Sequence, residues 1–269
     1  MLKILERKIT LQLLVFYGLF VIPLLLGGAE LYFFQYDALQ QSAQQADLGL
    51  AQAISQEVEM QVQGVANESL ALAHNQAAVH LDQAQLLSLF SFSKQTRPEI
   101  SEYTICDPSG KILLNYPSIP ANLGQSFSAG QDLPQVLLKN TPSVLPGHIN
   151  QLNGTYVVSV AMPIDSEQKR TNGVVILNLS LQQLKLHLNS VRQQLTGNGE
   201  VRIWIIDSTG IPIASTVEVP GGHNLLQRIP GLHTALLGKP GNLIAKDEQR
   251  DWLYSYVPVG STNWAVIVG

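Results

Sequence analysis

One cysteine, Cys106, is all the chain contains, so no disulfide can form within it. Charge is scarce too. Asp, Glu, Lys and Arg make up only 13% of the 269 residues, about half of the ~25% usual for soluble domains, and Gln, Ser and Asn are left to wet the surface. There is no basic excess, the net charge being -4. That excludes a nucleic-acid partner, which needs a Lys/Arg footprint to neutralise phosphates. No Gly-rich phosphate loop, nucleophile elbow or Ser/His/Asp order occurs, so neither an enzyme active site nor a membrane-anchored hydrolase is expected. The six histidines (His74, His80, His148, His187, His223 and His233) lack metal-ligand spacing. His74 and His80 stand six apart and would not share a helix face. Cys106 lies mid-strand and reads as a small buried hydrophobe. No metal and no cofactor are expected. Asp247-Glu248, with Lys246, Arg250 and Asp251, reads as a mixed-charge hairpin.

Charge is also missing from Ile9 to Ala29, a run of 21 residues, against the ~20 needed to cross a hydrocarbon core. Lys3, Arg7 and Lys8 precede the run; Glu30, Asp37 and Asp47 follow it. The positive-inside bias predicts a transmembrane helix over 9–34, residues 1–8 in the cytoplasm and everything after about 34 outside, at a cell membrane. A cleaved signal peptide ending near Gly27-Gly28-Ala29 is the rival reading, but its apolar core would be shorter.

Proline is absent from 36–95, and Gly49 and Gly64 are the only glycines there. Leu50, Ile54, Val58, Val62 and Val65 recur at helical spacing, which predicts one long helix over 35–95 with a narrow apolar stripe. Such a stripe packs either on its own domain or on a second copy of the chain. In the second case it is the dimer and signalling surface.

After Arg97-Pro98 the sequence turns to short β-type runs, and an internal repeat appears. Ile105-Cys106-Asp107-Pro108-Ser109-Gly110-Lys111-Ile112 is echoed by Ile205-Ile206-Asp207-Ser208-Thr209-Gly210-Ile211-Pro212. Both read as a hairpin whose Asp accepts from the turn and whose Gly supplies positive φ. A short helix ending at Pro142 or Pro240 follows in each copy. Then come Tyr156–Pro163 against Trp252–Pro258, and Gly173–Leu177 against Trp264–Val268. Two α/β modules, 96–180 and 200–269, are therefore expected. A connecting helix over 181–199 carries Leu181, Leu184, Leu188, Val191 and Leu195 on one face and stops at Gly197-Asn198-Gly199.

This order of elements resembles the double Cache sensor domains of bacterial transmembrane receptors. Its marks are the Asp-Pro-Ser-Gly hairpin, Met162-Pro163-Ile164, Gly173-Val-Val-Ile-Leu and the closing Pro258-Val-Gly-Ser-Thr-Asn-Trp264-Ala-Val. The resemblance implies an α+β fold, with a long helix and two PAS-like antiparallel-sheet modules in tandem. It also implies a homodimer that senses a small molecule in its membrane-distal module, 96–180, for a histidine kinase, chemoreceptor or cyclic-dinucleotide output. No output domain and no second span follow Gly269, so the chain is expected to be a fragment, a shortened gene product or a protein acting through another chain. An accessory subunit that binds a partner protein instead of a metabolite is the alternative.

Amino-acid-binding members share an Arg, a Trp and a Tyr around the short helix and an Asp on a late strand. Aligned on that helix, these positions hold Gln131, Leu133, Pro134 and Asn178 here, with His148 and Asn150 at a further Tyr and Asp. The resemblance thus implies a site of Gln131, Leu133, His148, Asn150, Tyr156 and Asn178, for a neutral or weakly polar ligand. The other possibility is a pocket filled by its own side chains.

Overall fold

The computed structural model describes residues 2–150, 154–165, 171–195, 200–217, 224–247 and 249–269, with residues 2–15 as backbone alone. The expected stop at Gly197-Asn198-Gly199 and Glu248 of the charged hairpin lie outside the described residues. The chain divides into two compact units, 1–46 and 47–269. Helix α1 (Leu2–Ala73) is long and apolar enough to cross a membrane, by length and composition.

The expectation of one helix through residue 95 is corrected. α1 ends at Ala73, and α2 (Gln76–Val79) and α3 (Gln83–Thr96) follow as separate helices. The cause is local chemistry. The Asn75 side chain accepts from the Ala77 N–H, and Asp82 accepts from the Ala84 and Gln85 N–H groups. Short polar side chains that satisfy the free amides of a new first turn end one helix and start another without proline.

Two five-stranded antiparallel sheets make up the rest. The strands of the first are β1 (Ile100–Cys106), β2 (Ile112–Tyr116), β3 (Ser143–Val144), β6 (Ser159–Asp165) and β7 (Thr171–Leu179). A small hairpin, β4 (His148–Ile149) with β5 (Tyr156–Val157), stands beside it. The strands of the second are β8 (Ile203–Ile206), β9 (Pro212–Ser215), β10 (Gly241–Asp247), β11 (Arg250–Val259) and β12 (Trp264–Val268). Strand order is β2-β1-β7-β6-β3 in one and β9-β8-β12-β11-β10 in the other. Each strand thus occupies the place of its counterpart in the repeat. The matched hairpins also turn alike, with Gly110 at φ 87° and Gly210 at φ 85°, a region open to glycine at little cost.

Each sheet is covered on both faces, as strand alternation dictates. In β1, Tyr103 and Ile105 point into the main core while Cys106 points to the opposite face. The main core also holds Ile54, Val58, Val62 and Val65 from α1, each at most 2% exposed, with Leu50 half-buried against them. They pack among Val160 and Met162 of the first sheet and Val257, Val259 and Trp264 of the second. The stripe is therefore covered by its own domain, and a second copy is not what buries it. Burying each such side chain stabilises by roughly 1.5–3 kcal/mol, enough to explain a pattern so regular. The Ser55 hydroxyl donates to the Pro258 carbonyl at 2.7 Å, and Glu59 accepts from the Ser261 N–H at 2.7 Å, tying α1 to the second module.

The opposite face of the first sheet carries α4 (Leu133–Lys139), and that of the second carries α6 (Leu225–Arg228) with a 3-10 turn over Pro230–Leu237. α5 (Leu181–Gln194) joins the modules and buries Leu184 and Leu188. Ser180 caps it by accepting from the Gln183 N–H.

Candidate functional site

A cavity of about 150 Å³ opens on the α4 face of the first sheet. That is the size of a hole able to take a benzene-sized molecule. Its walls come from Glu102 and Thr104 of β1, Ile112 of β2, Asn122 of a 3-10 turn (Pro120–Asn122), the loop of Gln125, Ser126, Phe127 and Ser128, His148 and Asn150 at the small hairpin, and Asn178 of β7.

Asn178 lies at the centre of the polar wall. In register it faces Glu102 on one side and Ser159 on the other. Its amide Nδ2 donates to Glu102 Oε2 at 2.9 Å, and its Oδ1 accepts from the Ser159 hydroxyl at 2.6 Å. Burial pushes the Glu102 carboxyl above the usual range, and the Asn178 hydrogen bond only partly offsets this. Among the described residues no basic side chain pairs with Glu102, and no Lys or Arg lines the cavity.

Two further acceptors lack partners. Asn122 is 1% exposed, and its Oδ1 accepts no hydrogen bond. His148 Nδ1 lies 3.0 Å from the Pro146 carbonyl, which can only accept, so Nδ1 carries the proton in that bond. Nε2 of the neutral ring is then a buried acceptor without a partner. Burial holds the ring below the ordinary histidine range, although the Pro146 carbonyl and Asp132 act in the other direction.

Of the six residues expected at the site, the structure brings together His148, Asn150 and Asn178. The other three are placed elsewhere. Gln131 is exposed on a 3-10 turn (Gly130–Asp132), and Pro134 is exposed at the start of α4. Leu133 is buried in an apolar cluster with Cys106, Phe127, Val136 and Ile176. Tyr156 reaches away from the cavity, and its phenol donates to Asp207 of the second module. The expectation of an uncharged site is corrected by Glu102. Glu102 and Thr104 alternate with Tyr103 and Ile105 along β1, a polar pair on one strand face that could have pointed to them. Asn122 lies in a loop, where no periodicity marks it.

The second module closes the corresponding face. Trp204, Leu225, Ile229, Leu232, Ala235 and Tyr254 fill it. Asp247, on the expected mixed-charge hairpin, is itself buried. Arg228 grips it through two hydrogen bonds of 2.7 Å, and Tyr254 OH donates to it at 3.1 Å. The Arg202 guanidinium lies 3.4 Å from the same carboxylate and 3.9 Å above the Trp252 ring. A carboxylate so fully paired serves structure.

The Cache domain profile matches residues 35–269. The chain belongs to the Cache domain family. Solved Cache-like folds agree. The ligand-binding domain of the Pseudomonas fluorescens chemoreceptor CtaA, in complex with L-isoleucine, superposes with a TM-score of 0.67 at 15% identity, covering 88% of this chain and 95% of that one. The ligand-binding domain of the Campylobacter jejuni chemoreceptor Tlp3, in complex with L-valine, gives 0.60 at 14% identity, covering 88% and 96%. A methyl-accepting chemotaxis protein gives 0.66 at 14% identity, covering 86% and 98%. No curated protein sequence matches the chain. At these identities the likeness establishes the Cache fold, and the site must be argued from this chain's own residues.

Proposed function

We propose that this Cache domain is the extracytoplasmic sensing region of a membrane-bound signalling receptor, and that its small-molecule site is the cavity of the first module. The observation that carries the reading is the contrast between the modules. The first keeps a cavity lined by Glu102, Asn122, His148, Asn150 and Asn178, and the second fills the same face with Trp204 and Tyr254.

The charge asymmetry about the apolar run supports a span over 9–34, with the N-terminus cytoplasmic and the Cache modules outside. By family analogy the first module is the membrane-distal one. The chemoreceptor domains it resembles are described with L-isoleucine and L-valine bound. This cavity, however, offers no Arg or Lys to grip a carboxylate, so the ligand here is a small polar solute held in another way. Pairing of two chains, which the family resemblance implies, has to use a face other than the buried stripe. Met60, 68% exposed, marks such a face on α1.

The test is a thermal-shift screen of the full chain in detergent micelles against a panel of amino acids, amines, organic acids, purines and sugars. A ligand at 100 times its Kd adds ~2.7 kcal/mol of stability. A hit that is lost in His148→Ala or Asn178→Ala supports the reading. Silence across the panel, or a hit indifferent to both substitutions, overturns it in favour of a partner-protein role.

A further inference from the structure

We propose that the cleft where the two modules meet α1 is a second small-molecule site, and that it takes a monocarboxylate with a short apolar tail. It shares no lining residue with the first-module cavity, so it stands apart from the reading of that cavity. The cleft has a volume of about 460 Å³, within the ~300–1,000 Å³ of small-molecule sites. Three parts of the chain wall it. α1 contributes Gln63 and Ala66, the first module contributes residues from Lys139 to Pro146, and the second contributes Ser208 and the turn Gly260–Asn263. Local chemistry fixes each wall. Asn140 ends α4 in the left-handed region at φ 49°, which turns the chain into β3. β3 pairs with β6, and the Leu145 N–H then donates to the Ser159 carbonyl at 2.8 Å. Opposite, Glu59 of α1 accepts from the Ser261 N–H at 2.7 Å, and the Thr262 hydroxyl accepts from the Trp264 N–H at 3.1 Å. A cleft held this way is preformed, and a ligand need not order it.

The lining residues select the class. Lys139 is the one charged residue among them, and no carboxylate lines the cleft. Among the described residues Lys139 has no salt-bridge partner. Glu59, at the edge of the second-module turn, is already engaged by the Ser261 N–H. Thr141, Ser208 and Ser261 add hydroxyls and Asn263 an amide, all able to donate. Ala66, Pro142 and Val144 are half-buried and Pro146 is exposed, so they offer apolar surface in the same cleft. A carboxylate against Lys139 forms the charge-assisted type of hydrogen bond, and a short tail covers the apolar surface. An amine would meet the Lys139 charge with nothing to offset it, and a neutral amide of equal shape forgoes the charge-assisted bond. The place has a consequence for the modules. Ser208 follows Asp207 and Pro146 precedes Gly147, so a solute here lies beside the Tyr156–Asp207 hydrogen bond and touches both modules at once.

Four probes test the proposal on the full chain in micelles: butyrate, acetate, butyramide and butylamine. Binding is read at constant ionic strength by thermal shift and by calorimetry. Butyrate is expected to bind at least about fivefold more tightly than butyramide and more tightly than the tail-less acetate, and butylamine is expected to give no signal. Lys139→Gln should weaken butyrate at least about fivefold without moving the melting temperature of the unliganded chain. Lys139→Arg, which keeps the charge, should retain part of the affinity. Ser208→Ala, on the second-module wall, should weaken butyrate by about twofold or more. Asn178→Ala, in the first-module cavity, should leave butyrate binding as it was. Butyramide or butylamine that matches butyrate, or butyrate binding unchanged in Lys139→Gln, overturns the proposal. Butyrate binding that is lost in Asn178→Ala and kept in Lys139→Gln puts the acid in the first-module cavity, so the second site falls while the sensing reading stands. Silence from all four probes overturns the second site and leaves the first-module reading to its own screen.

Discussion

The Tyr156 phenol donates its hydrogen bond to Asp207 Oδ2, joining a strand of the first module to a turn of the second. Asp207 is the repeat partner of Asp107, and each uses Oδ1 in the same way. Asp107 accepts from Ser109 N, Ser109 Oγ and Lys111 N; Asp207 accepts from Thr209 N, Thr209 Oγ1 and Ile211 N. The difference lies in the second oxygen, which in Asp207 is bound across the module boundary. Gly147 makes room for this pair. A Cβ there would collide with the phenol and lie 2.7 Å from Asp207 Oδ2. Burial and the neighbouring carboxylate both push the Tyr156 phenol upward, so it stays a donor at any physiological pH.

Tyr156→Phe should therefore destabilise the domain by about 1–3 kcal/mol, since Asp207 is fully buried and loses a partner it cannot replace with water. Gly147→Ala should cost at least as much. The same hairpin carries His148 opposite Val157, so the change reaches the cavity wall. Hydrogen exchange at the Asn150 amide, which donates to the Thr155 carbonyl at 2.8 Å, should speed up in Tyr156→Phe. Denaturant melts with unchanged midpoints and unchanged Asn150 exchange would contradict this.

The apolar stripe of α1 predicts a folding defect and no selective loss of pairing. Ile54 is 2% exposed, and Ile54→Asp places a charge where nothing can pair with it. A loss of at least 3 kcal/mol is expected, on the scale of a large truncation in the core. Ile54→Val should cost about 1 kcal/mol, while Met60→Gln on the exposed side should stay within about 0.5 kcal/mol. Chemical denaturation of the three variants checks the ordering. An Ile54→Asp chain as stable as the parent would remove the stripe from the core.

In the second module, Arg228→Met should cost on the order of 3 kcal/mol, because it strips the bidentate partner from a buried carboxylate. Arg202, at 3.4 Å, remains and limits the damage. Asp247→Asn in the same background should recover part of the loss, because the uncompensated charge goes with it. A double-mutant cycle measured by urea melts gives the coupling.

Much of this architecture was legible in the sequence because it is written in periodicity. The stripe from Leu50 to Val65, the two Asp-x-Ser/Thr-Gly hairpins and the matching strand runs all follow from repeats of 3.6 or 2 residues and from turn chemistry. The break at Asn75 carries no proline or glycine, because Asn75 and Asp82 act by capping. The site was half legible. Asn178, His148 and Asn150, taken from the family order, line one cavity of the first module. Gln131 and Leu133 did not come to it: Gln131 is exposed on a 3-10 turn and Leu133 packs into an apolar cluster. The Tyr156 bridge leaves no local pattern, because its partner, Asp207, is 51 residues away in the other module.

Burial sets the pH dependence of what Glu102 contributes to stability. Its carboxyl is raised by burial, so the folded state holds that proton more tightly than the unfolded chain does. The contribution it makes to stability is then present at pH below the ordinary carboxyl range and is lost as pH rises through the folded-state value. Glu102→Gln removes the titration. Without ligand, the variant should melt higher than the parent at neutral pH, and the gap should shrink towards zero as pH falls into the acid range. Melting temperatures of both chains across that range, in one buffer series at constant ionic strength, measure the gap. A gap that is constant with pH would mean that Glu102 keeps its charge at no cost, and a negative gap at neutral pH would mean that the Asn178 bond outweighs burial. The expected sign makes Glu102 a residue that the fold alone does not favour at neutral pH.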